Sequence, residues 1–238
     1  MRRLPSRPEL PENTQRKLHL ETRRIRQAGD PRAEAKARFE RARSSGWFEP
    51  VVQKLGEWAG PGQRCMWCGG SESAQVEHYR PKSTYPKRAL TWKNLLWACG
   101  LCNGEKGATF PTQRRELLIN PAEEDVWHFF FIDQFGNLTP RWRTDLDDFD
   151  PRAVSTRETL RLDRQALQES RQLRRLDLIK QVQDTLARYN SKELDVAELR
   201  RRKGEWLRQP FQPDVADYFF NGPGRSEPPF RQFHAIVE

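Results

Sequence analysis

The sequence predicts an α+β protein in which a small, irregular, metal-braced core is embedded in a mostly α-helical chain. Three observations predict it. The four cysteines among 238 residues form two Cys-x-x-Cys pairs, Cys65/Cys68 and Cys99/Cys102, with thirty residues between them. Outside that segment the apolar residues recur chiefly at helical spacing. Hydrophobic residues make up 36% of the chain and charged residues 32%, with eight Trp and thirteen Phe, enough large apolar surface for one sizeable core with a helical extension.

Residues 1–14 are rich in proline and polar groups and are expected to have little regular structure. Asp30-Pro31 starts a helix, with Asp30 as cap and Pro31 in the first helical position, running through Ala33, Ala37 and Phe39 and stopping near Gly46. Trp47, Phe48, Val51, Val52, Leu55 and Trp58 follow at helical spacing and should pack on the central segment. Gly60-Pro61-Gly62 breaks the chain before the first cysteine pair. Residues 1–62 are therefore an N-terminal basic helical region, and 63–145 the core with a flanking hairpin. Within the latter, Leu117–Asn120 reads as a strand-like run, Trp127–Ile132 as a buried strand, and Gly136-Asn137 as the turn leading into Leu138. Residues 146–238 form a C-terminal helical region. Ser155-x-x-Glu158 fits a capping box, and Leu173, Leu176, Ile179, Val182, Leu186 and Tyr189 form an amphipathic stripe expected to cover the core, with a partner surface as the alternative. Asn190-Ser191 punctuates, a second helix spans roughly 192–209, and Tyr218–Phe220, Phe230 and Phe233 read as core aromatics.

Each Cys-x-x-Cys turn can present two thiolates to one tetrahedral zinc, and the pairs together fill all four positions. Disulfides or a redox pair could use the same spacing. Neither suits the reduced cytoplasm expected for this chain, and no βαβ pattern accompanies the cysteines. A closed four-cysteine site is structural: it staples a core too small to hold its shape by burial alone.

Between and just after the pairs stand Val76-Glu77-His78-Tyr79-Arg80-Pro81-Lys82, Trp92-Lys93-Asn94 and Asn103-Gly104-Glu105-Lys106-Gly107. Histidine can take a proton from water near neutral pH, which makes His78 the candidate general base. Glu77 and Asn103 offer the oxygen ligands that Mg²⁺ or Mn²⁺ prefers. Asn94 is suited to pin the loop behind His78 through backbone hydrogen bonds. Arg80, Lys82 and Lys106 supply positive charge for phosphate. His19, His128 and His234 have no comparable setting. Such a group could hydrolyse a phosphodiester with a metal ion and an activated water. A zinc-stapled nucleic-acid-binding or adaptor module would share the cysteines but would need neither the Glu-His pair nor Asn-x-x-Lys.

Taken in order over residues 65–107, these motifs resemble the HNH nuclease family, whose core is two antiparallel strands, a loop and a helix around one metal (a ββα-metal core). The resemblance implies a metal-dependent endonuclease of His-Asn-Asn type, with His78, Glu77, Asn94 and Asn103 at the catalytic centre. It also implies 5′-phosphate and 3′-hydroxyl products. The run Glu77–Ser83 and the run Asn94–Asn103 are similar to one subgroup, the nuclease subunits of Septu-type and retron-linked anti-phage systems. Leu118–Pro121, Asp125, His128, Gly136, Thr159–Leu162, Leu167 and Arg171 extend that similarity loosely to residue 180. The subgroup implies an ATPase partner of SMC-like or ABC-like type. The chain has no Gly-x-x-x-x-Gly-Lys-Ser/Thr motif of its own with which to hydrolyse ATP.

A net charge of +9 and a pI near 9.7 favour a polyanionic partner. The expected substrate is a nucleic acid, with DNA favoured and RNA possible. Residues 1–45 hold thirteen basic against six acidic residues; residues 121–150 hold eight acids against Arg141 and Arg143. No apolar run reaches the ~20 residues of a membrane span. The start of the chain lacks the apolar stretch of a secretory signal, so the expected location is the cytoplasm.

Overall fold

A computed structural model describes residues 1–2, 4–70, 74–114 and 117–238. Three helices lead: α1 (Glu12–Gln27), α2 (Pro31–Arg43) and α3 (Glu49–Trp58). α2 starts where Asp30-Pro31 requires, the Asp30 carboxylate accepting from the Arg32 and Ala33 amides. α1 lacks such signals. Its N-terminus has no side-chain cap, and its buried face carries Leu18 and Ile25 beside Thr14, Glu21 and Thr22. The segment before α1 has no regular structure, as expected, yet it is tied down. The Trp58 and Trp92 indoles donate to the Pro5 and Pro8 carbonyls at 3.0 and 3.1 Å, and Arg7 donates to the carbonyls of Trp92 and Leu95 at 3.0 Å each.

The centre is a hairpin of β1 (Ala74–His78) and β2 (Leu95–Cys99), antiparallel with Val76 opposite Trp97 and His78 opposite Leu95. The chain passes straight from β2 into α4 (Gly100–Lys106), completing a strand–loop–strand–helix unit. Every residue of β2 is buried, because α3 and α4 as well as β1 pack against it. α1 and α2 pack on the Pro86–Arg88 turn within the loop between the strands.

Leu118 and Ile119 are fully buried but form no strand. Side chains satisfy their backbone instead: Tyr79 Oη and Arg152 donate to the Leu118 carbonyl, and Thr156 Oγ1 accepts from the Ile119 amide. The strand expected from Trp127 begins only at Phe130, after a 3-10 turn over Val126–His128 capped by Asp125. β3 (Phe130–Ile132) pairs with β4 (Leu138–Pro140) around Gly136, as the turn residues predict. Gly136 has φ +83°, and a Cβ there would lie 2.3 Å from the Gln168 carbonyl, so this turn presses directly on a helix backbone. The hairpin packs on α5 and α8. A second, two-residue hairpin joins β5 (Trp142–Arg143) to β6 (Asp148–Phe149).

α5 (Pro151–Thr159) is capped by Asp150, with Pro151 in its first position, so Ser155 and Glu158 lie inside the helix and form no capping box. Asp150-Pro151, with its cap five residues before Ser155, provides the stronger start. α6 (Gln165–Asn190) buries Leu167, Arg171, Arg174, Leu178, Val182 and Leu186, whereas Leu173 and Leu176 of the expected stripe are 63% and 55% exposed. The true inward face uses two arginines where an apolar count finds nothing. α7 (Val196–Arg208), α8 (Pro213–Phe220) and α9 (Phe230–Val237) enclose the C-terminal aromatics as core, Phe219 stacking on Phe230 at 4.2 Å. No helix among the described residues is long and apolar enough to cross a membrane.

Candidate active site

Cys65 and Cys68 lie in the turn before β1, Cys99 ends β2, and Cys102 lies in the first turn of α4. All four are buried and unbridged, with their sulfurs within 4.8 Å of one another. Cys68 Sγ and Cys99 Sγ are 3.8 Å apart. Four sulfurs at about 2.3 Å from a central zinc, at tetrahedral corners, would be separated by about 3.8 Å. The donor set therefore fits zinc. Amides of Cys68, Cys102 and Gly70 point at the sulfurs of Cys65, Cys99 and Cys68 at 3.5, 3.5 and 3.4 Å, and the Arg164 guanidinium approaches Cys102 at 3.6 Å. Such donors favour thiolate. Contact with the Cys102 thiol, the largest influence, brings Cys99 down to about 7.

This cluster clamps the Cys65 turn to the β2–α4 junction and thereby fixes α4 against β1. Glu77 and His78 end β1; Asn103 follows Cys102 directly on α4. Glu77, His78 and Asn103 all line one cavity of about 580 Å³, together with Lys82, Ser83 and, from α2 and its cap, Asp30, Arg32, Ala33 and Lys36.

His78 is 4% exposed, and its Nε2 lies 2.9 Å from the Ala89 carbonyl. A carbonyl can only accept, so Nε2 carries the proton and Nδ1 keeps its lone pair in the neutral ring. Phe39 of α2 packs edge-on against the ring at 4.5 Å. Burial, and then the Lys82 ammonium, bring the imidazole down to about 3, so it stays neutral. The Lys82 ammonium itself rests over the Phe39 ring at 5.1 Å.

Asn94 holds this geometry from behind. Its Oδ1 accepts from the Arg80 amide at 2.9 Å, and its Nδ2 donates to the Arg80 and Arg88 carbonyls at 3.0 and 3.1 Å. It does not line the cavity.

Glu77 is 6% exposed and accepts from Lys106 Nζ at 2.6 Å. Burial raises its carboxyl against the opposing pull of Lys106. Asn103 is half-buried, and its side-chain amide makes no hydrogen bond with any described residue. A carboxylate and a free amide oxygen on one wall fit a hard divalent cation.

The three residues expected to meet phosphate separate. Lys82 reaches the cavity. Lys106 is fully buried in its pairing with Glu77 and faces away from any surface ligand. Arg80 lies outside the cavity, its guanidinium 5.2 Å from each of the Tyr85 and Phe110 rings. The sequence reading missed Ala89, whose contribution is a backbone carbonyl, and Phe39, which is indistinguishable from any other core aromatic. It also missed Arg32 and Lys36. The Asp30-Pro31 start fixes the register of α2, and an i, i+4 basic pair was legible there.

Residues 63–109 match the family described as HNH endonuclease. The chain is also 36% identical over 84 residues to a Septu protein, PtuB, of Bacillus thuringiensis; the match covers 33% of this chain and 32% of that protein. About a third of the relative's length is thus matched.

Proposed function

Taking residues 63–109 as an HNH endonuclease module, we propose that this chain is a metal-dependent endonuclease that hydrolyses phosphodiester bonds, with DNA as the favoured substrate. The observation that carries this reading is the oriented imidazole. His78 is anchored through Nε2, keeps Nδ1 as a base, and shares a cavity with Glu77 and Asn103. In the proposed reaction Nδ1 takes the proton of the attacking water while the Ala89 carbonyl holds the ring and its tautomer. Glu77 and Asn103 would hold Mg²⁺ or Mn²⁺, which supplies charge stabilisation to phosphate and departing 3′ oxygen when bound. Asn94 acts on the geometry of the loop rather than on substrate, and Lys106 sets the position of Glu77.

The likeness to a Septu protein supports a role as the effector nuclease of an anti-phage system in the cytoplasm. An SMC-like or ABC-like ATPase would be its partner. The competing reading, a nucleic-acid-binding or adaptor protein without cutting activity, makes the opposite prediction in one experiment. Plasmid and labelled RNA are incubated with the chain and Mg²⁺ or Mn²⁺, with and without a candidate ATPase partner, in parallel with His78→Ala. The expected result is plasmid cleavage by the wild type, reduced by roughly 10²–10⁴-fold in the variant. Equal rates would remove His78 from the reaction, and no cleavage under any condition would favour the adaptor.

A further inference from the structure

The cavity at His78 does not end at the matched module. Its far wall is α2, which lies outside residues 63–109: Asp30, Arg32, Ala33 and Lys36 face Glu77, His78 and Lys82 across it. A second cavity, of about 470 Å³, shares Asp30 and Arg32 with the first and continues past Thr84, Tyr85, Lys87 and Arg88. The two form one open trough between α2 and the loop that follows β1.

Arg32, Lys36, Lys87 and Arg88 are exposed, Lys82 is half-buried, and none of the five forms an ion pair with a described residue. The acids in the trough are already engaged. Asp30 caps α2 through the Arg32 and Ala33 amides, and Glu77 is held by Lys106. Two other arginines of this helix, by contrast, are matched: Arg38 pairs with Glu21 and Glu34, and Arg41 lies 3.8 Å from Glu34. The trough therefore presents unneutralised cations on both walls, with the imidazole opening between them. That is the electrostatic footprint of a strand of phosphates.

We infer that α2 is the second jaw of the substrate groove, in which Arg32 and Lys36 on one wall and Lys87 and Arg88 on the other grip the sugar–phosphate backbone of a nucleic acid on one side of the bond that His78 addresses. The inference rests on the nuclease reading and extends it to a helix outside the matched family segment. Contacts of this kind fix the register of the backbone and carry no sequence information.

The test is binding, measured without divalent metal so that cleavage does not intervene. Fluorescein-labelled 24-nucleotide duplex DNA, single-stranded DNA and single-stranded RNA are titrated with the full chain at several salt concentrations. Arg32→Ala/Lys36→Ala is compared with a control that removes the same charge elsewhere, Lys180→Ala/Arg231→Ala; all four side chains are exposed and lie on helices that tolerate alanine. The α2 double variant should bind its preferred probe roughly tenfold more weakly, and its log-affinity against log-salt slope should fall by about 1.4–1.8. The control should keep the wild-type slope. Wild-type binding with an α2 variant no weaker than the control would overturn the groove and leave the nuclease reading standing. Failure of the wild type to bind any of the three probes would overturn both.

Discussion

Asn94 makes three hydrogen bonds, one as acceptor and two as donor, to a loop whose own carbonyl at Ala89 aims the histidine. Asn94→Asp keeps the acceptor and turns a carboxylate toward two carbonyl oxygens in a site that is 3% exposed. The expected outcome is a loss of about 2–4 kcal/mol in urea unfolding, since buried carbonyls are left unpaired beside a new charge. A change below about 0.5 kcal/mol would show that Asn94 does not hold the loop. At this scale the site was partly legible. The order of residue types in the sequence groups Glu77, His78 and Asn103 and sets Asn94 behind them, and they lie that way, three on one cavity and the fourth bonded to the loop backbone. Lys106 misled because a sequence gives its charge but not its direction, and here it faces the Glu77 carboxylate in the interior.

Among the elements, the cysteine cluster makes the clearest prediction. α4 is seven residues long and β1 and β2 five each, so none would persist alone. Purified protein should contain about one zinc per chain by elemental analysis. Cys99→Ser, or prolonged chelation, should unfold the ββα unit, with loss of the far-UV and tryptophan signals, rather than merely slow the reaction; apparent zinc affinities of about 10–16 kcal/mol far exceed what so small a core supplies. Folded, zinc-free protein would end that claim. α2 and the β3–β4 turn were legible because Asp-Pro and Gly-Asn act within a few residues of themselves. The inward face of α6 was not, because Arg171 and Arg174 are buried on behalf of partners far away in sequence.

For the whole molecule, Arg171 joins what the chain order keeps apart. Fully buried, it donates to Asp214 of α8 at 2.9 Å, to the Leu162 carbonyl at 3.2 Å and to the Cys68 carbonyl at 3.3 Å, tying the C-terminal helices to the turn that carries two sulfurs. Arg171→Met should cost about 3–5 kcal/mol in denaturant unfolding, because the fully buried Asp214 carboxylate loses its guanidinium and keeps only the Met1 ammonium at 3.2 Å, and adding Asp214→Leu should recover part of the loss. A single-variant cost under 1 kcal/mol would mean that this network does not couple the two parts.

The loop from Tyr79 to Asn94 is fastened at intervals: the Tyr79 amide to the Asn94 carbonyl, Asn94 to Arg80 and Arg88, His78 to Ala89, and Thr22 to Leu90. Its contour length is consequently a fixed gauge. Swapping its solvent-facing side chains alters grip alone, whereas inserting or deleting one residue shifts every fastening downstream and misaligns grip and base together. The β5–β6 turn leaves Leu146 half in solvent, and its hydrogen bonds join residues 141–150 to one another; a change of length there should leave the reaction untouched.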